Sequence, residues 1–69
     1  MRLKALREDK DIKQSVLADL LNVRQNTYSQ YENGQRQIPL DALIKVADYF
    51  NVSIDYILER TNDKQLHKK

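Results

Sequence analysis

The sequence predicts an all-α domain of five short helices around one apolar core, on three observations. Apolar residues recur at three- and four-residue spacings, with no strand-like alternation. Helix-stopping residues punctuate the chain at Asn22, Gly34 and Asn51. The gaps between the apolar segments are short, and no internal repeat or low-complexity tract interrupts them. A chain of 69 residues makes one small domain, and a domain of this size buries only about 60% of the surface its unfolded chain exposes. A second subunit or a ligand would therefore add stability. The domain is expected over residues 1–59, with 60–69 a polar tail or linker stub.

Leu3 and Leu6, three apart among charges, predict a first helix of about Arg2 to Asp9, closed by Asp9-Lys10-Asp11. Val16, Leu17, Ala18, Leu20 and Leu21 give a second helix, Gln14 to Leu21, with a wide apolar face. Asn22 suits the left-handed position after its end. Only Val23 and Arg24 remain before a third helix starting at Gln25, which is a helix-turn-helix spacing. Gly34 stops that helix. Pro39 suits the start of a fourth, with Asp41 near its positive end and Leu40, Leu43, Ile44, Val46, Ala47 and Phe50 as its inward stripe. Asn51-Val52 repeats the Asn22-Val23 stop, Ser53 is a good N-cap for a fifth helix, and Ile54, Ile57 and Leu58 are expected to close the core.

Composition excludes several function classes. The absence of cysteine removes disulfides, thiolate catalysis and Cys-based zinc sites, and is compatible with a reducing cytoplasm. No apolar run approaches the ~20 residues that span a bilayer, and Met1-Arg2-Leu3-Lys4 leads into charge rather than a signal segment. His67 has no second His or Cys beside it, so neither a metal nor a cofactor is expected. No acidic pair stands near a nucleophile, which argues against an enzyme.

The third helix carries the functional signal. At ~100° per residue, Gln25, Asn26, Ser29, Gln30 and Asn33 fall within an arc of roughly 140°, while Tyr28 and Tyr31 point the other way. Asn and Ser lower helix propensity, so a solvated face normally prefers Glu, Lys and Arg. A partner with a dense array of donors and acceptors would use such a face, and the DNA major groove is one: Gln and Asn accept from adenine N6 and donate to N7. A polar helix surface that happens to be rich in amides would give the same pattern. The net charge of +2 is too small to decide, but Lys13, Arg24 and Arg36 flank this helix while Asp41, Asp48, Asp55 and Glu59 lie later.

Gln14, Leu17-Ala18, Leu21, Asn22-Val23, Ser29, Tyr31-Glu32-Asn33-Gly34, Leu43, Ala47 and Val52-Ser53 together resemble the phage repressor and Cro type of helix-turn-helix, the xenobiotic-response-element family of bacterial regulators. The resemblance runs from about Leu3 to Leu58. It implies a lambda-repressor-like fold and a sequence-specific DNA-binding transcriptional regulator, a repressor acting as a homodimer on a palindromic operator. By this resemblance Gln25, Asn26 and Gln30 contact bases. Gln14 meets a phosphate or braces Gln25, and Ser29, Asn33, Gly34, Gln35 and Arg36 lie along the backbone. The family often has Thr and Ser where this chain has Lys13 and Arg24, so two helix caps are given up for cations that can meet phosphates.

Tyr28 and Tyr31 are expected to pack inward with their hydroxyls at the rim. Tyr49 and Tyr56 fall on outer faces and are candidates for a homodimer seam. Val16 and Leu20 either widen the core or form a patch for a partner protein. That patch favours an alternative reading, an antitoxin that binds both operator and toxin; a helical protein-interaction module is a more distant one.

Overall fold

A computed structural model describes residues 1–62. It contains five helices: α1 (Leu3–Asp9), α2 (Gln14–Leu21), α3 (Gln25–Asn33), α4 (Leu40–Phe50) and α5 (Ile54–Ile57), with no strand among the described residues. Most of the expected 60–69 tail, with His67, lies outside the described residues.

The helices end alike. After each, one residue takes a left-handed conformation: Asp11 (φ 55), Asn22 (φ 57), Gly34 (φ 76), Asn51 (φ 56) and Glu59 (φ 63). The next residue's N–H then reaches the carbonyl five positions back, in Ile12 to Arg7, Val23 to Ala18, Gln35 to Gln30, Val52 to Ala47 and Arg60 to Asp55, at 2.8 to 3.0 Å. This is the Schellman arrangement, which satisfies carbonyls that a helix end leaves without partners. The sequence announces it at Asn22, Gly34 and Asn51. Asp11 and Glu59 adopt it too, although Glu has no special tolerance for positive φ.

Leu3, Leu17, Tyr28, Val46 and Ile57, one from each helix, are fully buried and form the centre of the core. Leu6, Leu21, Tyr31, Leu43 and Phe50 complete its main contacts. Ile38, in the connection before α4, is also buried, a position that no periodic pattern marks. Three expected core residues are exposed instead. The buried stripe of α4 is Leu43, Val46, Ala47 and Phe50. Ile44 lies about 110° from the centre of that stripe and is 44% exposed. Leu40, on its edge at the first position of the helix, is 66% exposed. Leu58 is exposed because α5 stops at Ile57 and the chain turns away at Glu59.

The chain termini of the domain are joined across α1 and α5. Arg2 N–H donates to Ile57 O at 2.8 Å. The Arg2 side chain donates to the carbonyls of Tyr56 and Thr61 and to Asn62 Oδ1, and its guanidinium lies 4.2 Å from the centre of the Tyr56 ring. The Met1 amino group pairs with Glu59. This attachment holds the first two residues and Thr61-Asn62 beside α5.

Candidate nucleic-acid interface

The two faces of α3 have opposite duties. Tyr28 and Tyr31 point inward and meet edge to face, with ring centroids 6.4 Å apart. The Tyr28 hydroxyl does not reach the rim as expected: it is wholly buried and makes no hydrogen bond of normal geometry. Burial, together with the negative charge of neighbouring Glu32, holds its proton far above the usual phenol range.

Glu32 follows Tyr28 by four residues and so shares its inward direction. Its side chain is 1% exposed. Arg7 on α1 donates to it through Nε at 2.7 Å and Nη2 at 3.3 Å, and Gln14 at the start of α2 donates through Nε2 at 3.0 Å. Arg7 also donates to Ile12 O, which braces the α1–α2 turn. Burial alone would push the Glu32 carboxyl up, but the hydrogen bonds from Arg7 and Gln14 and the charge of Arg7 outweigh it and hold the group below the ordinary carboxylate range. Glu32 thus ties together the three helices that support the outer face of α3. Sequence reasoning gave it no role, although its spacing from Tyr28 was a usable signal.

The outer face forms an open cleft lined by Gln14, Gln25, Asn26, Ser29, Gln30 and Gln35. All three residues expected to contact bases are therefore together, with three of those expected along the backbone. Gln25 and Asn26 are exposed, and Gln30 is half-buried. Arg36 reaches the same surface by donating from Nε to Gln30 Oε1 at 3.0 Å. Lys13, Arg24, Asn33 and Gly34 are exposed at the helix ends but do not line the cleft. Gly34 is needed for its positive φ, and a side-chain carbon placed there would meet nothing within 4 Å.

Charge and backbone polarity reinforce this face. Lys13 and Arg24 are the N-cap residues of α2 and α3, and neither makes a side-chain cap. Neither helix has an acidic residue in its first turn, whereas α4 has Asp41 and α5 has Asp55. The positive ends of the α2 and α3 dipoles are thus uncompensated and carry a cation each, a disposition that suits an anion outside.

Other candidate surfaces are less uniform. Tyr49 is exposed on α4, edge-on to Phe50 with centroids 5.2 Å apart. Tyr56 does not face outward as expected: the short α5 is held against the N-terminal segment, and the ring is half-buried beneath Arg2. Leu20 is half-buried against the core and Val16, one turn before it, is exposed. Met1, Leu40 and Leu58 line a second, more apolar cleft with Ile38 and Leu43. Among the described residues no helix is long and apolar enough to cross a membrane, and no group of three or more His, Asp or Glu could hold a metal.

Comparison with known proteins gives a family. Residues 3–57 match the family model described as helix-turn-helix. The HTH-type transcriptional regulator AnsR of Bacillus subtilis is 41% identical over 64 residues, covering 93% of this chain and 55% of that protein. The HTH-type transcriptional regulator ImmR of the same organism is 39% identical over 57 residues, 83% of this chain and 45% of that protein. The uncharacterized HTH-type transcriptional regulator YobD, also from B. subtilis, is 36% identical over 62 residues, 90% of this chain and 55% of that protein. The chain thus spans about half the length of the curated relatives it matches. No solved structure matches it significantly.

Proposed function

This chain belongs to the helix-turn-helix family, and on that premise we propose that it is a sequence-specific DNA-binding transcriptional regulator, a repressor that acts in the cytoplasm as a homodimer on a palindromic operator. The observation that carries this reading is the amide cleft on the outer face of α3, set beside two uncapped, cationic helix starts. Gln25, Asn26 and Gln30 contact base edges, with adenine favoured by amide chemistry. Lys13, Arg24, Ser29, Asn33, Gly34, Gln35 and Arg36 hold the protein to sugar and phosphate, which fixes register without selecting sequence; Gln14, expected beside them on the backbone, borders both groups in the cleft.

Two copies with their α3 helices ~34 Å apart would read successive major grooves on one side of the duplex. Tyr49, which is exposed, and Tyr56, which is half-buried under Arg2, are the candidates for a seam between them. Selection of bound duplexes from a randomised library at moderate salt tests the reading. An inverted repeat should be enriched, and a folded protein that enriches nothing would refute autonomous DNA recognition. In the selected site, Gln25→Ala or Gln30→Ala should cost ~1 to 3 kcal/mol and relax one position. Arg36→Ala should weaken binding to every duplex and reduce the salt slope by about one, and, by releasing Gln30 Oε1, relax the position that Gln30 reads.

A further inference from the structure

Glu32 never reaches the cleft, yet one of the cleft's side chains is bonded to it. Gln14 donates from Nε2 to Glu32 Oε1 at 3.0 Å and lines the cleft together with Gln25, Asn26, Ser29, Gln30 and Gln35. An ionised carboxylate accepts hydrogen bonds and has none to give. Only the amide nitrogen of Gln14 can therefore face it, since turning the amide over would set two acceptors against each other. The amide is planar, with oxygen and nitrogen on separate arms, so a nitrogen held inward leaves the oxygen directed away from Glu32. The carboxylate is itself immobilised, because Arg7 Nε holds Oε2 at 2.7 Å and Arg7 Nη2 shares Oε1 at 3.3 Å. Solvent does not compete, as the Glu32 side chain is 1% exposed.

We propose that Glu32 is a positioning residue for base selection: it fixes the polarity of the Gln14 amide, so that this corner of the cleft presents a carbonyl oxygen to an N–H donor on a base edge. The exocyclic amino group of adenine or cytosine is the donor of that class in the major groove. The inference rests on the DNA-binding reading above and deepens it, because a residue that touches no DNA then helps decide which sequence is bound. Gln30 is oriented in the opposite sense, its Oε1 being taken by Arg36, so the cleft offers an acceptor at one amide and leaves a donor at another.

Glu32→Gln tests this, since a neutral amide can either accept from or donate to Gln14 and so allows both orientations. In the folded variant, discrimination between the selected site and a version changed at one base pair should fall about tenfold, within what one well-placed base contact supplies. Affinity for unrelated duplex should not fall, since the variant removes a negative charge and no cation. Gln14→Ala, which keeps the Arg7–Glu32 pair, should lose discrimination at the same base pair, and the double variant should lose no more than Gln14→Ala alone. A merely structural role would scale binding to every duplex together. Unchanged discrimination in Glu32→Gln, or additive losses in the double variant, would overturn the inference. Should Glu32→Gln fail to fold, side-chain amide exchange by NMR in the unaltered protein decides: slow exchange of a Gln14 Nε2 proton is expected, and free exchange of both protons overturns it. An unaltered protein that prefers no duplex refutes the DNA-binding reading itself, whereas one that discriminates no better than Glu32→Gln refutes this inference alone.

Discussion

The turn between α2 and α3 and the turn between α4 and α5 are nearly the same piece of backbone with different chemistry at the third residue. Asn22 and Asn51 share φ and ψ to within a few degrees, 57 and 44 against 56 and 46. Val23 and Val52 each donate to the carbonyl five residues back at 3.0 Å. Arg24 and Ser53 then begin the next helix in the same extended conformation. Ser53 is buried and its hydroxyl accepts from Tyr56 N–H at 3.0 Å, with Asp55 beside it. Arg24 is exposed, makes no cap and has no acid nearby in its helix. One turn is completed for stability, while its twin keeps free N–H groups and a cation at the place where the proposed DNA face begins.

The strongest way to disturb this contrast is to remove what holds the open turn's helices in place. Glu32→Gln should destabilise the domain by roughly 2 to 3 kcal/mol at neutral pH, because it leaves Arg7 without its charge partner. Since the folded Glu32 carboxyl is held below its ordinary value, its contribution is present above about pH 4.3 and is lost as pH falls through the folded value. Urea melts should therefore show the variant and its parent converging in acid; a constant gap would refute the assignment.

A smaller effect separates the two valines. Val52 is 4% exposed and Val23 is half-buried, so Val52→Ala should cost about 2 kcal/mol and Val23→Ala about half that. Equal losses in thermal or denaturant melts would mean the two turns are packed alike. The smallest effect is at the caps. Ser53→Ala should lose ~1 kcal/mol, and Arg24→Ser should gain up to ~1 kcal/mol while weakening binding to every duplex at low salt. An Arg24→Ser protein that binds as tightly as its parent would remove Arg24 from the DNA face.

What could be read in advance follows the range over which each feature is encoded. Period, the Asn and Gly stops, the Ser53 cap and the split between the amides and tyrosines of α3 are all local, and all appear in the structure. Leu40, Ile44 and Leu58 were misassigned because apolar character at roughly the right spacing does not fix the edge of a buried stripe. Tyr56 was misassigned because the residue covering it lies 54 positions away. In the candidate site, the outward amides were legible, but the buried carboxylate behind them was not. Its importance depends on Arg7 and Gln14, which come from two other helices.

The five left-handed stops also bear on how the chain folds. Each is closed by hydrogen bonds spanning six residues or fewer, so a helix can be terminated before it meets any partner. Contacts of such short range need little loop closure, and domains dominated by them fold in microseconds to milliseconds. The slow part of the search is then confined to docking segments whose lengths are already set. Asn22 and Asn51 would influence how fast the native state is reached as well as how long it lasts.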